Sequence, residues 1–201
     1  MDFSVNKHSS IRIGDIYIDP FKIGESTNDA RYIFITHSHY DHLSFEDIDK
    51  IVNDNSVFVG TKDVADELKK KYKNEVIVVK ANETYNLGSI VFTTFPSYNI
   101  GKKFHPLGNG WVGYIIHINN VKYAILGDSD LTSEVKNIKC DVLFVPIGGI
   151  YTMNAKEASC LTNIIKPSLV IPVHYNDIVG SKVDEKIFLS NLNNIKYQIF
   201  L

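Results

Sequence analysis

Thr36-His37-Ser38-His39-Tyr40-Asp41-His42 follows directly on the apolar run Tyr32-Ile33-Phe34-Ile35. That run has the β-branched and aromatic character of a buried strand. A strand that stops in a His/Asp loop delivers those side chains at a sheet edge, where a metal pocket can form. Four potential ligands, His37, His39, Asp41 and His42, fall within six residues. Three imidazoles and a carboxylate are the nitrogen and oxygen donors that Zn²⁺, Mn²⁺ or Fe accept. The chain has seven His in 201 residues, and three of them crowd into this hexamer. That concentration speaks against a surface loop that is rich in His by chance.

Other polar ligands recur where apolar strands stop. The strand read at Ser89–Phe95 runs into a long polar loop, Pro96–Gly110, that holds His105. Tyr123–Leu126 is followed by Gly127-Asp128, and Leu169–Val173 by His174. A mononuclear site takes about four ligands, one of which is often water. Seven candidates are enough for two metals that share one carboxylate.

Between these points the chain alternates strands and helices. Ser10–Ile13 and Ile16–Ile18 read as a hairpin about Gly14-Asp15. Ser44 caps a helix that runs to about Val52, and Thr61 a second one over Asp63–Tyr72. Trp111–Ile118 and Val121–Leu126 form a hairpin about Asn119-Asn120, a pair suited to a type I′ turn. Asn154 and Glu157 make a capping-box start for a helix to about Ile165, and Asp141–Ile147 and Ser168–Val173 read as buried strands. A helix at Lys182–Leu192 and a strand at Ile195–Phe200 follow. The pattern predicts an α/β protein, an αββα four-layer sandwich, with one domain over residues 1–201 and the strand-end loops gathered on one edge.

Composition narrows the function classes. Net charge is −2, with 44% hydrophobic and 22% charged residues, so nothing drives the chain toward long nucleic acid or anionic membrane. No apolar run is long enough to span a bilayer, and no apolar h-region follows Met1–Lys7. The expected compartment is the cytoplasm, and the two cysteines, Cys140 and Cys160, read as buried inert thiols.

With these residues in view, the chain resembles the metallo-β-lactamase-fold hydrolases. Residues 36–42 carry the H-x-H-x-D-H motif, and Ala124-Ile125-Leu126-Gly127-Asp128-Ser129-Asp130 is similar to a G-D-T-D segment with Ser for Thr. Phe104-His105-Pro106 looks like the third-motif His, and Val145–Met153 and Ile171–Tyr175 complete the likeness. The branch it resembles comprises small prokaryotic proteins related to L-ascorbate-6-phosphate lactonase. The resemblance implies a first metal on His37, His39 and His105, a second on Asp41, His42 and His174, and Asp128 as bridge. It implies two divalent ions, Zn first, with Mn or Fe as alternatives. His117 is the rival to His105, set aside because it lies within an alternating strand rather than a loop. His at position 39, where oxygen-reducing di-iron members of the fold carry Glu, points to hydrolysis.

Metal-bound imidazoles need their other nitrogen fixed, and Asp19 is the candidate; its alternative role is a turn Asp before Pro20. His8, in His8-Ser9-Ser10, lines the pocket as a proton donor or makes a structural hydrogen bond. Tyr98, Asn99 and Lys102 either contact substrate or are solvated loop residues, and Tyr40 and Tyr151 are candidates for the rim. Asp130 either orients a ligand or caps the following helix. The expected reaction is hydrolysis by a metal-bridging hydroxide, with Asp41 and Asp128 positioning it, on a small anionic ester, lactone or phosphodiester. The alternative is a metal-binding or ligand-sensing module without useful turnover. The expected partner is a small-molecule substrate, with no long nucleic acid and no membrane; a homo-oligomer is compatible with the sequence.

Overall fold

The structure, a computed structural model, describes residues 3–201. Its backbone gathers into two compact units, one running to Val79 and including Phe200–Leu201, the other Lys80–Ile199.

The first unit is built on a six-stranded sheet in the order β1-β2-β3-β4-β5-β6. Strands β1 (Phe3–Val5), β2 (Ile11–Ile13) and β3 (Ile16–Ile18) form an antiparallel meander. Strands β4 (Tyr32–Phe34), β5 (Val57–Gly60) and β6 (Val76–Val78) continue it in parallel from β3. Parallel neighbours need crossovers; helices α1 (Phe45–Ile51) and α2 (Lys62–Leu68) supply those from β4 to β5 and from β5 to β6, while residues 19–31 carry β3 to β4 without a helix. Ile48 and Ile51 of α1 and Val64 and Leu68 of α2 are buried with Tyr17, Ile33, Ile35 and Phe58. Register fixes the functional edge. Ile18 pairs with both Phe34 and Ile11, so Asp19, Ile35-Thr36 and the residues just before β2 meet at one end of the sheet.

The second unit holds a six-stranded sheet in the order β12-β11-β10-β9-β8-β7. Strands β7 (Thr84–Asn86), β8 (Val91–Pro96), β9 (Val112–Ile118) and β10 (Val121–Ile125) are antiparallel. Strands β11 (Val142–Pro146) and β12 (Leu169–Val173) run parallel to β10. Pro96 pairs with Val112, Ile125 with Phe144 and Pro146 with Val173. The loops after β8, β10, β11 and β12 therefore leave from the same sheet edge. Asn119 and Asn120 have φ of 49° and 62°, as a type I′ turn requires. Helix α4 (Ala155–Ile165) starts at a full capping box of Asn154 and Glu157. Helices α3 (Ser133–Lys136) and α5 (Lys182–Ser190) complete the unit.

Three expectations need correction. Residues 195–200 make only one bridge, Val170 to Tyr197, rather than a strand. Cys160 is exposed, because its helix turns that position to solvent. The second helix stops at Leu68 rather than Tyr72, since the next amides, Lys70 and Lys71, bond back three residues instead of four. Cys140 is half-buried, and burial together with the charge of Asp141 pushes its thiol up to about 12, which suits an inert group.

Candidate metal centre

In the first unit, Asp19 organises the motif loop. It is fully buried at φ 46°, in the left-handed region that Asp tolerates better than most residues. Its Oδ1 accepts the Thr36 amide at 2.8 Å, and its Oδ2 accepts the Thr36 hydroxyl at 2.7 Å. The same Oδ2 lies 2.7 Å from His42 Nδ1. A buried carboxylate at that distance requires Nδ1–H, so the His42 lone pair is on Nε2, 3.7 Å from Asp41 Oδ2. The Thr36 hydroxyl spends its proton on Asp19 and accepts from His37 Nδ1 at 2.9 Å. The His37 lone pair is therefore also on Nε2, which faces His39 Nδ1 at 2.9 Å. Two ring nitrogens that close need a proton or a cation between them. Donors about 2.0–2.1 Å from a tetrahedral Zn²⁺ lie roughly 3.3 Å apart, close to this spacing.

Asp41 is nearly buried and His8 completely so. His8 Nε2 lies 3.0 Å from Asp41 Oδ2. An ionised Asp41 offers only acceptors, so His8 donates there. Ligand atoms of His8, Asp41 and His42 fall within 4.8 Å of one another. His8 holds φ 56°, a strained value for His that a turn before β2 imposes.

In the second unit, Asp128, His105 and His174 come from three loops on the same sheet edge, and all three are buried. Asp128 Oδ1 and His174 Nε2 are 3.1 Å apart, and ligand atoms of His105 and Asp128 lie within 4.8 Å. His105 sits 3.3 Å from Ser97 Oγ and packs its ring on Trp111, with centroids 4.5 Å apart. His174 holds φ 57°. Gly148 lies against its backbone: a Cβ there would meet the His174 carbonyl at 2.3 Å.

The expected site residues thus fall into two sets, each drawn together at its own sheet edge: His8, Asp19, His37, His39, Asp41 and His42, and His105, Asp128 and His174. His117 is elsewhere. It pairs with Lys122 and Val91, at the opposite strand ends from Asp128 and the His105 loop. Lys102 and Asp130, open between substrate contact, solvation, orientation and capping, pair with each other, while Thr132 caps α3. Tyr40 is exposed and Tyr151 half-buried against Phe104. Sequence reasoning missed Thr36, which fixes the His37 tautomer; its position between a strand and the first His was the available signal.

Two six-stranded sheets with flanking helices, and buried His/Asp donors at their edges, define a metallo-β-lactamase-type fold with the makings of a metal site. A family model, the beta-lactamase superfamily domain, matches residues 8–174, and the chain belongs to that family. It is 33% identical over 192 residues to the UPF0173 metal-dependent hydrolase of Natranaerobius thermophilus, covering 88% of this chain and 82% of the relative. Two solved structures share the fold. Igni18, a metallo hydrolase from Ignicoccus hospitalis, superposes with TM-score 0.76 at 21% identity over 98% of this chain and 93% of that one. The metallo-beta-lactamase fold protein YhfI of Bacillus subtilis gives TM-score 0.76 at 12% identity, covering 98% and 95%. No helix among the described residues is long and apolar enough to cross a membrane.

Proposed function

We propose that the protein is a binuclear metal-dependent hydrolase of a small anionic ester, lactone or phosphodiester. The observation that carries this reading is the buried Asp19–His42 pair. It commits Nδ1 as a donor and leaves Nε2 as a lone pair beside Asp41. An imidazole oriented by a buried carboxylate is the arrangement metal sites use to fix the ligating nitrogen. The name of the Natranaerobius relative supports a metal-dependent hydrolase in general.

The donor types suit divalent ions such as Zn²⁺, with Mn²⁺ or Fe as alternatives; as the motif assigns them, His37, His39 and His105 would hold one ion, Asp41, His42 and His174 the other, and Asp128 would serve both. When bound, such ions supply an activated water near neutral pH and neutralise charge on the scissile group. The chain's own residues do the rest. Thr36 and Asp19 hold His37 and His42 in the ligating tautomer. His8 donates to Asp41 Oδ2, which leaves the other carboxylate oxygen for a cation or for the nucleophile's proton. Asp128, the other nearly buried carboxylate, would position the attacking water together with Asp41.

Two measurements test this. Metal content after reconstitution should reach two equivalents, and anomalous scattering at several edges should identify the ions. A panel of esters, lactones and phosphodiesters with added Mn²⁺ or Zn²⁺ should show turnover. Fewer than two equivalents would remove the binuclear scheme. Two bound ions without turnover of any panel member would favour a metal-binding or ligand-sensing module.

A further inference from the structure

We infer that Lys102 and Asp130 are positioning residues that lock the loop bearing His105 to the loop bearing Asp128. The inference builds on the proposed metal centre and concerns residues outside its ligand set. Asp130 is buried, and its carboxylate meets two groups of the long loop, the Ile100 amide and the Lys102 ammonium. Its Oδ2 accepts the Ile100 amide at 2.8 Å, and its own amide donates to the Tyr98 carbonyl at 2.9 Å. Its Oδ1 accepts Lys102 Nζ at 2.5 Å, and that ammonium also donates to the Thr152 carbonyl at 2.6 Å. One cation thereby ties three of the loops that leave the second sheet's edge.

Further bonds run between the same segments. Asn99 Nδ2 donates to the Asp128 carbonyl at 2.8 Å, and Ser97 Oγ to the Leu126 carbonyl at 2.9 Å. The Asn99 amide donates to the His105 carbonyl at 2.7 Å, which closes the loop on itself. Phe104 meets Tyr151 edge-to-face at 5.0 Å, beside the Thr152 junction. Loops on a sheet edge are otherwise the mobile part of a domain. Charge-assisted bonds at this spacing set geometry more than they add net stability. Lys102 is the member that reaches both other loops at once, since both its acceptors, Asp130 Oδ1 and the Thr152 carbonyl, lie outside its own loop.

The test uses the full chain with Lys102→Met and Lys102→Arg. Hydrogen exchange of the metal-free protein should show faster exchange of the amides in 98–105 and at Asp130 in Lys102→Met, with Lys102→Arg close to the parent. Zn²⁺ competition against a chelator should show one class of site weakened by about 10–100-fold in Lys102→Met and largely restored in Lys102→Arg. Unchanged exchange in 98–105 would overturn the inference, and so would unchanged affinity at both sites. If the parent binds fewer than two ions, the binuclear reading fails by itself, and exchange still decides whether the lock exists. Asp130→Asn, which keeps the shape and removes the charge, is the second variant; it should raise exchange in the same amides.

Discussion

Asp19 fixes the motif loop at three points. It binds the Thr36 amide, the Thr36 hydroxyl and His42 Nδ1, all without solvent contact. Asp19→Ala should therefore cost roughly 10–100-fold in metal affinity or activity. Chelator competition reads this directly, and an unchanged affinity would take Asp19 out of the site. Gly148 poses a different constraint on a single position. A methyl group there would have to displace the His174 backbone, which cannot swing aside as a flexible side chain can. Gly148→Ala should lower metal affinity together with stability, and a variant with the parent's melting midpoint and metal content would show that the loop relaxes freely.

At the scale of elements, helix starts and strand ends were legible. Ser44 and Asn154 cap as their sequences foretell, because a short polar side chain before an apolar-periodic run has few other uses. The His loop, Asp128 and His174 were readable because each breaks an apolar strand. What stayed hidden were contacts between distant segments: His8 reaching Asp41 across 33 positions, or Lys102 reaching Thr152 across 50. Nothing local encodes them. The four-residue helix α3 and the three-residue β1 are too short to show a period. Residues 195–200 alternate like a strand but pair only once.

Asp47 at the start of α1 gives this scale its pH prediction. Burial alone would raise its carboxyl; hydrogen bonds from Ser44, Lys50 and the Lys22 and Ile23 amides outweigh that and hold it below the ordinary value of 3.8. A depressed carboxyl contributes stability that is present above its unfolded pKa and is lost as pH falls through the folded one. The acid limb of unfolding should thus include Asp47 at pH below about 4. Asp47→Ala, which leaves two amides without their acceptor, should cost about 1–3 kcal/mol near neutral pH and flatten that limb. Denaturant titrations at several acid pH values compare the two limbs; identical slopes would assign the acid transition to other groups.

At the scale of the whole molecule, the donors impose a cost on the metal-free fold. His37 and His39 bring two ring nitrogens to 2.9 Å, Asp41 and Asp128 are carboxylates with little exposure, and His8, Asp19 and His174 hold left-handed backbone. Strain and repulsion of this kind persist only where the surrounding structure over-determines them. A cation that binds these groups in the native state, and scarcely in the unfolded chain, offsets both. Stabilisation then follows mass action, about 2.7 kcal/mol at a free metal concentration a hundredfold above Kd. For a chain of this size that corresponds to a midpoint rise of roughly 5–10 °C. Thermal scans of the chelator-stripped protein against increasing Zn²⁺ or Mn²⁺ should show a midpoint that climbs with the logarithm of free metal. Asp19→Ala should displace that curve toward higher metal concentration, while Asn154→Ala, which removes only a helix cap, should lower the midpoint at every concentration alike. A midpoint indifferent to metal would mean that the buried donors satisfy one another through shared protons, and the metal reading would fall with it.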